Sequence, residues 1–278
     1  MRYKLVGNIC TNKEGLEKLV FMSHLNPENK QIEIDMSQLK FLEANLMAVF
    51  GAILYEKLLQ GFSVKLINMR KEIEDILKRN HFLGSNNQYF NPSETAMEFK
   101  IFTPEKEREF IDYINEQLLD RTQFPKMGAD YKKQIRSKIQ ELFANAVEHG
   151  AAKEIFCCGQ HFPKKGVINF TIVNHGTTIK DNVERFLNRS LDSEKAITWA
   201  SKEGHSTASS ETNPTRGLGL SLLHEFIMSN DGNLSILSND GFWCIEKNKQ
   251  YTCRIEKKFY GTIINIIINV KDTHNYEL

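Results

Sequence analysis

Apolar positions recur along this chain in two rhythms. Tyr3 to Gly7 reads as a strand, and after a polar turn a helical stripe runs through Leu16, Leu19 and Phe21. Ile32-Glu33-Ile34-Asp35-Met36 alternates apolar with polar, the pattern of a half-buried strand. From Phe41 to Leu59 comes a strongly apolar helix closed by Gly61. Ser63-Val64-Lys65-Leu66-Ile67 then alternates again, and Ile73 to Leu83 is a short amphipathic helix. Strands alternating with helices predict a small α/β sandwich.

A polar loop, Gly84-Ser85-Asn86-Asn87-Gln88 followed by Asn91-Pro92-Ser93, is the best boundary in the chain. It divides 1–92 from 93–278, in keeping with 278 residues and a prior of about two domains. Beyond it Thr95 to Phe102 alternates like a strand, and Pro104 opens a helix striped by Phe110, Ile111, Ile114 and Leu118. After a Pro/Gly break, Tyr131, Ile135, Ile139 and Leu142 mark a long helix that ends at Gly150. Val167 to Val173 is an apolar strand, left through Asn174-His175-Gly176-Thr177-Thr178-Ile179. By strand parity Asn174 shares a face with Ile168, Phe170 and Ile172, so on a covered face it would be a buried polar group in need of a partner. A helix around Ala196, Ile197 and Trp199 follows. Ser201 to Thr215, rich in Ser, Thr and Gly, reads as a lid-like loop. Arg216 to Leu223 is a glycine-rich turn opening an amphipathic helix that ends near Gly232. Three strands close the chain: Asn233 to Ser238, Phe242 to Glu246 after the Asn239-Asp240-Gly241 turn, and Gly261 to Val270.

Composition removes several classes. With 36 Lys and Arg against 35 Asp and Glu the formal charge is +1, so no basic surplus suggests nucleic acid and no polybasic cluster suggests an anionic membrane. The most apolar helix, near Ala44 to Tyr55, is flanked by Glu43, Glu56 and Lys57 and is too short to span a bilayer. No long apolar leader region opens the sequence, and a cytoplasmic protein is expected. Five cysteines are too few for a disulfide framework in a chain this long. Cys157 and Cys158, adjacent on a predicted strand, point to opposite faces as small core residues. His161, His175, His205 and His224 lack metal-ligand spacing.

The chemistry gathers on Glu141-Leu142-Phe143-Ala144-Asn145-Ala146-Val147-Glu148-His149-Gly150. Glu141 and Asn145 are four apart, so both side chains lie on one helical face. A carboxylate and a carboxamide amid apolar neighbours can act as a base beside a metal–phosphate ligand. Downstream, Gly217 and Gly219 at a helix start let backbone N–H groups approach a phosphate at the positive end of the helix dipole.

In their order these stretches resemble the GHKL superfamily, the ATP-binding Bergerat fold of gyrase, histidine kinases, heat-shock chaperones and mismatch-repair ATPases. Over residues from about 104 to 278, Glu141 to Gly150 resembles the N box, Asn174 to Ile179 the first glycine box, and Arg216 to Leu223 the second. Gly261-Thr262 is similar to the Gly-Thr that begins the family's final strand. The resemblance implies an α/β sandwich with a mixed sheet covered by helices on one face. It implies ATP and Mg²⁺ as cofactors, Glu141 as the general base and Asn145 as the Mg²⁺ ligand. Asn174, Gly176, Ile179, Arg216, Gly217, Leu218, Gly219 and Leu220 would contact the nucleotide. There is a departure: where the family carries an Asp for the adenine amino group and a second glycine, this chain has Asn174 and Thr178. An Asn carbonyl can still accept from N6 while its amide donates to the neighbouring ring nitrogen.

Asp35 to Asn45, the apolar helix and Gly61-Phe62-Ser63-Val64 resemble a STAS-type domain, the fold of anti-sigma-factor antagonists, over roughly the first third of the chain. Members switched by phosphorylation carry an Asp-Ser pair where the central helix begins. Glu43 and Ala44 stand there in this chain, and Ala44 has no hydroxyl. A partner surface rather than a phosphorylation switch is therefore expected. Taken together the resemblances imply Mg²⁺-dependent ATP binding with slow hydrolysis, coupled to a STAS-like regulatory or interaction domain. The alternatives are a non-hydrolysing, nucleotide-gated interaction switch and an anti-sigma-type protein serine kinase. The partners implied are ATP, a protein bound through the STAS-like domain and a second copy in a homodimer, with neither nucleic acid nor membrane.

Overall fold

A computed structural model describes residues 1–83, 95–202, 219–247 and 249–271, with the backbone alone for 219–222. The protein is α/β, with two sheets. In the first, β1 (Arg2–Ile9), β2 (Gln31–Leu42) and β3 (Ser63–Ile67) pair in parallel in that order. Helices α1 (Lys13–Ser23) and α2 (Met47–Leu59) make the crossovers, and α3 (Lys71–Arg79) follows β3. The second part contributes β4 (Lys100–Phe102), α4 (Glu107–Ile114), α5 (Ala129–Glu148), β5 (Ile155–Phe162), β6 (Val167–His175), α6 (Ile179–Leu187), α7 (Ser193–Ala200), α8 (Gly219–Ser229), β7 (Asn233–Glu246) and β8 (Lys249–Asn269). Its strands lie in the order β4-β5-β6-β8-β7. No helix of the described residues is long and apolar enough to cross a membrane.

The expectation of a mixed sheet with helices on one face is corrected in both respects. Every pairing in the five-stranded sheet is antiparallel, because β5–β6 and β7–β8 return on themselves as hairpins. Helices also cover both faces. Strand alternation sends Ile155, Cys157, Ile168, Phe170, Leu234 and Ile266 towards α4, α5 and α8. Phe156, Cys158, Val173, Leu237 and Ile263 point the other way, into a core shared with α1, α2 and the inner face of the parallel sheet. Helix α2 thus lies between two sheets, which is why Met47, Val49, Phe50, Ala52 and Ile53 are buried around most of its girth rather than along one stripe. Each such large side chain contributes about 1.5–3 kcal/mol by leaving water.

Several local expectations change with this packing. The apolar run begins as strand: β2 stays paired with β1 through Leu42, by way of two register shifts, and after a 3-10 turn (Ala44–Leu46) the α-helix starts only at Met47. Cross-strand pairing and burial of Leu39 and Leu42 outweigh the helical spacing there. Of the strand expected from Thr95, only Lys100–Phe102 and one bridge, Ala96 to Gln160, form. The two strands expected around Asn239-Asp240-Gly241 are a single strand, β7, bulged at that point, and β8 runs unbroken from Lys249 to Asn269. The loop at 84–93 and residues 203–215 of the lid-like stretch lie outside the described residues.

The interlayer surface also carries a polar track. Ser235, Asn265 and Thr171 stand side by side on β7, β8 and β6. Thr171 Oγ1 donates to Asn265 Oδ1 at 2.8 Å and accepts from Asn45 Nδ2 at 2.9 Å. Asn45 also donates to Thr11 at 2.8 Å, so it binds across the layers and does not cap a helix. Glu43, buried, accepts from Thr11 N at 2.7 Å and from Lys165 Nζ at 2.8 Å. The positions where the STAS resemblance would put a phosphorylation switch are thus in contact with the chain's own second sheet.

Candidate functional site

Helix α5 turns its buried stripe, Ile135, Ile139, Leu142, Phe143 and Ala146, to the sheet. Two neighbours fix its rotation. Phe143 stacks on Phe110 of α4 with centroids 4.7 Å apart, and Tyr131 meets Phe226 of α8 edge-on at 6.1 Å. At about 100° per residue, Asn145 lies about 40° and Glu141 about 80° from the direction of Tyr131, on the side away from Phe143. Both expected site residues therefore sit on the flank of α5 nearer Tyr131 than Phe143. Tyr131 is in the first turn of α5 and Phe226 in the second half of α8. Glu141 is half-buried, and Lys138 Nζ lies 3.3 Å from its Oε2.

The far end of α5 is joined to the end of β6. The Asn145 carbonyl accepts from His149 N at 2.9 Å and Gly150 N at 3.0 Å, closing the helix. Gly150 packs on Asn174: a Cβ at 150 would lie 2.6 Å from Asn174 Nδ2. Asn174 is buried on the α5 side of the sheet, as parity predicts, and donates from Nδ2 to the His175 carbonyl at 3.3 Å. That contact turns Oδ1, the acceptor, the other way. Strand β6 keeps Asn174 and His175 in its ladder, where a departing loop was expected, and pairs Asn174 with Thr262 and His175 with Gly261. Gly176 has φ +131°, with its N donating to the Tyr260 carbonyl at 3.1 Å.

Thr178, standing where the resemblance calls for a second glycine, is a helix cap. Its hydroxyl accepts from Asp181 N while Asp181 receives the Thr178 N–H, a reciprocal capping box that starts α6 at Ile179. The Thr-x-x-Asp spacing is visible in the sequence, and α6 was missed there. Asn182 then donates to the His149 carbonyl at 2.8 Å and ties α6 to the end of α5. Ser238 is a second omission. It accepts from Ile179 N at 3.0 Å, donates to the Gly261 carbonyl at 2.7 Å and lies 3.2 Å from Thr262 Oγ1. No motif marks it, since only the register of β7 on β8 brings it beside Thr262, the neighbour of Asn174.

No protein-family profile and no curated protein matches this sequence. Asn145, Asn174, Gly176 and Ile179 gather around the end of α5, and Glu141 lies one turn back along it. Arg216, Gly217 and Leu218 lie outside the described residues. The group offers a carboxylate and a carboxamide oxygen at helical spacing, and a buried carboxamide with the Thr262 hydroxyl on the next strand and the Ser238 hydroxyl one strand further. Among the described residues no three His, Cys, Asp or Glu side chains could hold a metal. Cys157 and Cys158 are fully buried on opposite faces, and desolvation pushes both thiols up, so they stay protonated core residues.

Proposed function

We propose that the second part of the chain binds ATP with Mg²⁺ and hydrolyses it slowly, as a GHKL-type site, while the STAS-like part serves regulation or a protein partner. One observation carries this reading: α5, which bears Glu141 and Asn145 at helical spacing, packs on α8 through Tyr131 and Phe226 and ends at Gly150 against Asn174 of β6. The donor set fits a hard divalent cation, because Asn145 offers a carboxamide oxygen one turn from a carboxylate. Bound there, Mg²⁺ would neutralise phosphate charge, held by Asn145. Glu141 would take the proton of the attacking water, and the first N–H groups of α8 would point at the phosphates. Asn174 would accept the adenine amino proton through Oδ1, with Thr262 and Ser238 as neighbouring hydroxyls. A second reading, a nucleotide-gated switch without turnover, draws on the packing of α2 against the same strand, β6.

Incubating the pure protein with γ-labelled ATP, and counting free phosphate and phosphoprotein separately, tests the proposal. Free phosphate in excess of phosphoprotein supports hydrolysis, label held on protein supports the kinase alternative, and failure to bind Mg²⁺–ATP in calorimetry removes the site. Base selection gives a finer test. Guanine presents an acceptor, O6, where adenine has its amino group, and a carboxylate at 174 can only accept. Asn174→Asp should therefore raise discrimination of ATP over GTP by about 1–3 kcal/mol, the cost of a mispaired buried polar group. An unchanged ATP/GTP affinity ratio would mean that Asn174 does not read the base.

A further inference from the structure

His175 is the residue next to the proposed base reader, and strand alternation sends it to the opposite face of the sheet, against α2. Its Nε2 lies 3.0 Å from the Ala52 carbonyl in the middle of that helix. Its Nδ1 lies 3.3 Å from the Tyr260 carbonyl of β8 and 3.5 Å from Glu56 Oε2 of α2. The ring tilts on Phe259 at 5.0 Å and meets Phe156 edge-on at 6.4 Å. Both ring nitrogens thus face oxygen acceptors, two of the three on α2. On either side of it the backbone is clamped. Gly261 approaches so closely that a Cβ there would lie 2.0 Å from the Asn174 carbonyl, and Thr177 N donates to Gly150 O at 2.8 Å.

We propose that His175 is a positioning residue that ties the STAS-like part, through α2, to the base-reading end of β6, so that the seating of α2 sets affinity for the adenine end of the nucleotide. This rests on the ATP reading above. A shift of α2 along the sheet would pull on His175, and Asn174 is one peptide unit away. Glu141, which would act at the phosphates, stands nine residues before Gly150, where α5 meets this linkage. The coupling therefore acts on the base and spares the triphosphate.

Calorimetry with two probes, Mg²⁺–ATP and Mg²⁺–tripolyphosphate, separates this role from a structural one. His175→Phe keeps the ring between Phe259 and Phe156 and removes both polar contacts. It should weaken ATP about tenfold, the effect of losing hydrogen bonds that hold one partner in place, and leave tripolyphosphate unchanged. His175→Gln, which can still donate to Ala52, should recover part of the loss. Glu56→Gln, on α2 and remote from the nucleotide, should shift ATP in the same direction by less. Equal losses for both probes, or ATP affinity within twofold of wild type in His175→Phe and Glu56→Gln alike, would overturn the link. A wild type that binds neither probe would overturn the nucleotide reading and the link with it.

Discussion

Glu141→Gln should keep Mg²⁺–ATP bound and lose its hydrolysis. The carboxamide has the shape of the carboxylate but cannot take a proton from water, and loss of a general base costs about 10²–10⁴-fold in rate. The fold should hardly notice. Glu141 keeps 22% of its side chain exposed, and its pairing with Lys138 at 3.3 Å is of the partly exposed kind whose contribution is about 0–1 kcal/mol. Melting temperature and ATP affinity should thus stay near wild type while turnover falls. Asn145→Ala should do the opposite, lowering affinity for Mg²⁺–ATP because the proposed metal ligand is gone. Turnover by Glu141→Gln at the wild-type rate would sink the general-base assignment. Equal affinity in Asn145→Ala would sink the metal role.

The long helix α5 was legible because its apolar spacing, its Gly stop and the Glu141–Asn145 face all lie within one local period. Asn174 was placed on the correct face by parity alone, since a strand has only two. What the sequence concealed are relations between distant segments. The run before Met47 has helical spacing, yet pairing with β1 holds it as strand to Leu42, and nothing local announces that partner. The all-round apolarity of α2 was plain, but its cause, a second sheet on its far side, depends on residues more than a hundred positions away. The partners of Asn45, Thr11 and Thr171, flank it from both layers. Ser238 and Thr178 matter through register and capping, where the resemblance directed attention to glycines. Of these, the Thr178 box was readable and the rest were not.

The backbone approaches around β6 make the largest stability prediction. Gly176 combines two demands. Its φ of +131° is a region that L side chains rarely adopt, and a Cβ there would sit 2.0 Å from the Gly150 carbonyl oxygen. The carbonyl cannot step aside without breaking its bond from Thr177 N at 2.8 Å. Gly61 supplies the control. Its φ is +80°, but a Cβ would meet nothing within 4 Å. Gly61→Ala should then cost the left-handed backbone term alone, about 1–2 kcal/mol. Gly176→Ala adds a collision with backbone and should exceed about 4 kcal/mol, a large share of the roughly 5–15 kcal/mol that holds a typical domain. Urea titration of both variants, read by far-UV circular dichroism, measures the difference directly. Gly61→Ala should unfold in one transition at slightly lower urea, whereas Gly176→Ala should unfold far earlier or fail to accumulate as folded protein. If the two midpoints coincide, the end of β6 does not press on Gly150, and the junction that holds Asn174 against α5 would have to be redrawn.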